Sequence, residues 1–78
     1  MNWKDRIVTD SDVLVGKPVV KGTRLSVEFL LGLKAAGWSD EQILENYPQL
    51  TADDLHALYA FAGALIKDEE FLPLEMVH

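Results

Sequence analysis

Between Thr51 and Ile66 the apolar residues Leu55, Leu58, Tyr59, Ala62, Leu65 and Ile66 recur at intervals of three and four. That is the period of one helix face, and a strand cannot satisfy it because its faces alternate at every residue. Thr51 is the N-cap of this predicted helix, and Asp53 and Asp54 place two carboxylates in its first turn, by the positive end of the dipole. Upstream, Tyr47-Pro48 must end any earlier helix, since a residue before proline avoids the α region. Ser39 and Gln42 have capping-box spacing, which predicts a short second helix carrying Ile43 and Leu44 inward. Ser26 caps a first helix that has Glu28 in its first turn. It runs through Val27, Leu30, Leu31 and Leu33 and stops at Gly37, a C′ glycine. Gly32 inside it costs about 1 kcal/mol relative to alanine, which predicts a buried, crowded contact there.

The first quarter reads as strands and turns. Ile7-Val8, Val13-Leu14-Val15 and the stretch 18–20 are predicted strands of a small β-element. Asp10-Ser11-Asp12 is turn chemistry, because these side chains bond nearby backbone groups. Gly16-Lys17 suits a type II′ hairpin tip, and Pro18, which cannot donate to a ladder, belongs at the turn or on an edge. Gly22-Thr23-Arg24 then turns the chain toward the first helix. The expected fold is mainly α: a small N-terminal β-element followed by a three-helix, helix-turn-helix-like (homeodomain-like) unit. A single domain over 1–78 divides into the β-element and turns (1–25), three helices (26–67) and an apolar tail (68–78).

Seventy-eight residues bury only about 60% of their unfolded surface, so the core is small. No cysteine is present to staple it or to hold a metal as thiolate, and His56 and His78 stand 22 positions apart. Small unstapled domains are often stabilised by assembly, so a homodimer is the default expectation, with no metal and no cofactor. The polar start Met1-Asn2-Trp3-Lys4-Asp5-Arg6 predicts no signal peptide, and no apolar run reaches the roughly 20 residues of a membrane span. The expected location is the cytoplasm.

Charge is unevenly distributed. Lys4, Arg6, Lys17, Lys21 and Arg24 face Asp5, Asp10 and Asp12, giving residues 1–24 a balance of +2. The other residues hold Lys34 and Lys67 against ten carboxylates, a balance of −8, for −6 overall. A pI near 4.6 argues against bulk affinity for nucleic acid but leaves room for a local contact.

Catalysis has little support. Most carboxylates sit at helix starts, Ser26, Ser39 and Thr51 act as caps, His56 has no partner at useful spacing, and neither a G-x-x-x-x-G-K-[ST] nor a G-x-G-x-x-G pattern exists. The span 40–66 has a helix-turn-helix outline, but its second helix offers Asp53, Asp54 and His56 where a recognition helix presents Arg, Lys, Asn or Gln. The DNA-contact candidates are therefore Lys17, Lys21, Thr23 and Arg24. The competing reading makes Lys17 and Lys21 solvated turn residues and pairs Arg24 with a helix carboxylate. Ala57, Phe61 and Ala64 lie off the main stripe, either packed on the β-element or in a subunit contact. Phe61 is thus a candidate interface residue, together with Phe71, Leu72 and Leu74 of the tail.

The residues also carry a resemblance. Gly16-Lys17-Pro18-x-x-Lys21-Gly22-Thr23-Arg24-Leu25-x-Val27, then Gly37-Trp38-Ser39 and Tyr47-Pro48-x-Leu50-Thr51-x-x-Asp54-Leu55, resemble the domain-of-unknown-function family four-three-three from about Ile7 to Ala62. The resemblance implies a helix-turn-helix-like domain with an N-terminal β-element. Some members look like antitoxins of type II toxin–antitoxin systems of the VapBC kind. This implies a non-enzymatic homodimer that neutralises a PIN-like ribonuclease and binds operator DNA. The residue-based alternative is a dimeric protein-interaction module without a nucleic-acid role. Ser11 departs from the family's usual proline, Phe61-Ala62 from its tyrosine-alanine pair, and the span 68–78 contains no Lys or Arg to enter a toxin's carboxylate cluster.

Overall fold

A computed structural model of the chain describes residues 2–69, with side chains to residue 67. Two strands, β1 (Ile7–Val8) and β2 (Val19–Val20), precede three helices, α1 (Val27–Ala35), α2 (Asp40–Asn46) and α3 (Ala52–Glu69). The molecule is mainly α with a small N-terminal β-element, as the sequence predicts, and that element is a two-stranded sheet. The predictions for Phe71, Leu72 and Leu74 lie outside the described residues.

Each helix begins where a side chain supplies the missing acceptor. The Ser26 hydroxyl accepts from Phe29 N–H at 2.9 Å. Ser39 and Gln42 close the predicted capping box, with bonds of 3.1 and 2.8 Å. Thr51 and Asp54 form the same reciprocal pair at the start of α3: Thr51 Oγ1 accepts from Asp54 N–H at 3.2 Å and Asp54 Oδ2 from Thr51 N–H at 2.9 Å. α1 ends in a Schellman motif, with Gly37 at φ 98°, Trp38 N–H on Leu33 C=O and Gly37 N–H on Lys34 C=O.

The strands pair antiparallel, Ile7 opposite Val20 and Val8 opposite Val19. The predicted strand over 13–15 is absent. Asp10 instead gathers the chain locally, its carboxylate accepting from Asp12 N–H and its carbonyl from Val13 N–H. Leu14–Gly16 then wind into a left-handed 3₁₀ turn with φ of 51°, 55° and 81°. Consequently Gly16-Lys17 is not a hairpin tip, and residues 9–18 form the whole connection. Pro18 lacks an N–H, but its carbonyl accepts from Val27 N–H at 3.0 Å and ties the sheet to α1.

Ile7, Val20, Val27, Leu30, Ile43, Leu50, Leu55, Ala57 and Leu58 form one core, and burying each large member is worth about 1.5–3 kcal/mol. Ala57 is fully buried, so the second stripe of α3 starts as core packing. Farther along α3, Leu65 and Ile66 are exposed. Gly32 is exposed too, and an added Cβ would meet nothing within 4 Å, which overturns the expected crowding. Among the described residues, no helix is long and apolar enough to cross a membrane.

Candidate nucleic-acid interface

The turn after β2 is closed by three local hydrogen bonds. Thr23 N–H and Thr23 Oγ1–H both donate to Val20 C=O, at 3.0 and 2.8 Å, and Leu25 N–H donates to Thr23 Oγ1 at 3.0 Å. Gly22 has φ 82° at the third turn position, where a type II turn calls for glycine. Lys21 N–H donates to Arg6 C=O at 2.7 Å, so the turn is a direct extension of the sheet.

Three of the four candidates, Lys21, Thr23 and Arg24, occupy this turn, and Lys17 precedes β2. Lys21 and Arg24 are exposed and make no ion pair among the described residues. Lys17 points elsewhere: its Nζ sits 3.1 Å from Glu28 Oε1 in the first turn of α1. The expected pairing of the basic segment with a helix carboxylate thus exists, but through Lys17 rather than Arg24. The Thr23 hydroxyl is used within the turn, donating to Val20 C=O and accepting from Leu25 N–H.

Arg6 also leaves the basic surface. Its guanidinium donates to Asp54 Oδ1 at 2.9 Å and lies 3.6 Å from Asp53 Oδ2. This joins the segment before β1 to the start of α3. Sequence reasoning counted Arg6 only as a charge. The available signal was two adjacent carboxylates at a helix start, but local capping explained them fully. Phe61, an interface candidate, meets Trp3 of the same chain edge-on with ring centroids 4.9 Å apart. Lys4 Nζ lies 5.8 Å from the Trp3 ring centroid.

A second polar cluster joins α1, α2 and α3. Asp40 Oδ1 accepts from Tyr59 O–H at 2.5 Å and from Lys34 Nζ at 2.9 Å. The Tyr59 hydrogen bond, then that of Lys34, holds the Asp40 carboxyl below its ordinary range. Burial, then the Asp40 carboxylate, pushes the Tyr59 phenol up. His56 is exposed, with Nδ1 4.0 Å from Asp53 Oδ1. Among the described residues there is no pocket and no group of three metal-ligating side chains.

An uncharacterized protein of Sinorhizobium fredii, y4eO, is 45% identical over 62 residues. The match covers 76% of this chain but only 28% of that protein, so the chain spans little more than a quarter of that relative. An uncharacterized protein of Archaeoglobus fulgidus is 62% identical over 24 residues, 31% of this chain and 67% of that protein. The crystal structure of a DUF433 member protein from Anabaena variabilis superposes with a TM-score of 0.74 at 28% identity, covering 96% of this chain and 71% of that one. The sequence profile of "Protein of unknown function (DUF433)" matches residues 7–62, most of the chain, and the chain belongs to that family.

Proposed function

We propose that this protein acts by binding rather than catalysis, as the antitoxin-like half of a type II toxin–antitoxin pair in the cytoplasm. In this reading a homodimer occludes a PIN-like ribonuclease and touches operator DNA through Lys21 and Arg24. One observation carries the DNA contact: both cations are exposed and without carboxylate partners among the described residues, on a turn held by three hydrogen bonds. A rigid turn presents charge at little entropic cost, while the anionic body keeps the affinity local and salt-sensitive. The toxin half is supported by the resemblance of the G-K-P…G-T-R and Y-P-x-L blocks to the family, some of whose members look like antitoxins.

Co-expression with the adjacent reading frame tests the toxin half, the expected result being rescue of growth. A gel shift on the protein's own promoter tests the DNA half. The shift should weaken with salt and disappear in Lys21→Ala plus Arg24→Ala. A second reading, a dimeric interaction module without nucleic-acid contacts, is favoured by the Lys17–Glu28 pair, which neutralises one cation of the basic segment within the chain. Unchanged migration at micromolar protein and low salt selects that reading. A monomer by light scattering removes the dimer from both.

A further inference from the structure

Lys4 lies far from residues 16–24 in sequence, yet the fold brings Arg6, two positions on, to Lys21. The register that sets Ile7 opposite Val20 continues outward through the 2.7 Å bond from Lys21 N–H to Arg6 C=O. Residue 6 therefore faces residue 21, and Lys4 stands two positions before it, in the turn that leads into β1. Its segment is not loose. Asn2 Oδ1 accepts from Lys4 N–H at 3.0 Å, and Arg6 N–H donates to Trp3 C=O at 2.9 Å, closing a 3₁₀ turn over Trp3–Asp5. The Trp3 ring fixes that turn on Phe61 of α3. Lys4 itself is exposed and makes no ion pair among the described residues. Asp54 and Asp53 are engaged by Arg6, and Asp5 in the same turn as Lys4 is exposed.

We infer that Lys4, Lys21 and Arg24 form one three-cation surface at the open end of the two-stranded ribbon, and that its ligand is the phosphodiester backbone of duplex DNA. The inference rests on the DNA half of the proposed function and adds a residue outside the family-matching span of 7–62. Lys4 and Lys21 are point charges on flexible stems and Arg24 is a planar fork of donors, and both kinds of cation suit phosphate oxygens. Single strands bind by stacking bases on open aromatic faces. Here Trp3 is half-buried, with Phe61 against it and Lys4 lying over its ring.

The test is the salt dependence of binding to a short mixed-sequence duplex, measured by fluorescence anisotropy and expressed per bound protomer. Each phosphate contact contributes about 0.9 to the slope of log K against log salt. Raising salt from about 50 to about 200 mM should therefore weaken the unaltered protein about 40-fold and Lys4→Ala about 12-fold. Lys21→Ala plus Arg24→Ala should weaken only about 3.5-fold over the same range. Lys4→Arg, which keeps the charge, should restore the full slope, and the far-ultraviolet spectrum should be unchanged in each variant. If Lys4→Ala keeps the full slope while the double variant loses its share, the three-cation surface is wrong and the Lys21/Arg24 contact stands. If the unaltered protein does not bind at low salt, the DNA half of the proposed function falls and this surface with it. Tighter binding to the single strand than to the duplex overturns the ligand assignment.

Discussion

The helical half of the chain and the N-terminal half are stabilised over different distances. In residues 26–69 each helix starts on a hydroxyl that accepts from a backbone N–H three positions on. In residues 2–25 the strands are two residues long, and their partners are remote: Ile7 pairs with Val20, Trp3 with Phe61, and Arg6 with Asp54, 48 positions away. A locally capped helix can lose one contact and keep the others. A ribbon this short has no independent stability, so it stands or falls with its attachments to the helices. The cations proposed to bind DNA sit on that dependent half, and their placement is set by its joints to α3.

The most disruptive single change should be at the main joint. Asp54 receives Arg6 on one oxygen and Thr51 N–H on the other, so Asp54→Ala removes an ion pair and half of a capping pair together. Removing one partner of a fully buried pair costs about 3–5 kcal/mol, and the partial exposure of Arg6 (36%) lowers the expectation to about 2–3 kcal/mol. Urea unfolding measures it directly. A double-mutant cycle with Arg6→Met should return a coupling that accounts for much of the loss. A cost below about 0.5 kcal/mol would show that the ribbon does not depend on this joint.

Tyr59→Phe tests the corresponding link within the helical half and should cost about 1 kcal/mol, since one hydrogen bond is lost and the ring still packs. It should also move Asp40. The folded pKa of Asp40 lies below the ordinary 3.8, chiefly because Tyr59 donates to it. A carboxylate depressed by folding adds stability that is complete above its unfolded pKa and is lost as pH falls through its folded pKa. The Asp40 contribution is thus present at neutral pH and declines below 3.8. In Tyr59→Phe the Asp40 titration, followed by nuclear magnetic resonance, should shift up toward that value. An unmoved titration would separate α2 from α3 in this account.

Each half also contains backbone misfits, Leu14 and Val15 in one and Gly32 in the other, and relieving Val15 and Gly32 should stabilise the protein modestly. Val15 is β-branched, 92% exposed and held at φ 55°, a conformation costing an L-residue about 1–2 kcal/mol. Asparagine tolerates that region better, so Val15→Asn should raise stability by about 1 kcal/mol. Gly32 sits in α1 with open space around it, and Gly32→Ala should gain about 0.5–1 kcal/mol. Thermal unfolding should show both midpoints rising. A fall in Gly32→Ala would mean that a partner, such as a second copy of the chain, requires the bare backbone.

The same contrast in range governs what was legible in the sequence. Ser26, Ser39, Gln42 and Thr51 announce their helices because a cap acts over three residues, and Gly37 and Pro48 mark ends by equally local rules. Val13-Leu14-Val15 misled for the opposite reason. β-branched residues favour a strand only when another strand is there to pair, and the Asp10 turn with the left-handed run leaves none. The Lys21–Arg24 turn was recognisable from Gly22. The loss of Thr23 to its own turn, of Lys17 to Glu28 and of Arg6 to Asp54, and the arrival of Lys4, depend on side-chain reach and on a register that only the folded chain defines.

The smallest expected effect concerns that first reassignment. The Lys17–Glu28 pair is 3.1 Å long, but its side chains are 59% and 78% exposed, so water screens it and chain entropy opposes it. Lys17→Ala should change stability by no more than about 0.5 kcal/mol. It should also leave the salt slope of duplex binding unchanged, because a lysine already paired with a carboxylate must give up that contact to meet a phosphate. A slope reduced by about 0.9, equal to that expected for Lys4→Ala, would show that Glu28 releases Lys17 on binding. The basic surface would then extend from the ribbon onto α1, and the division between a DNA-facing ribbon and a self-contained helical half would have to be redrawn at Glu28.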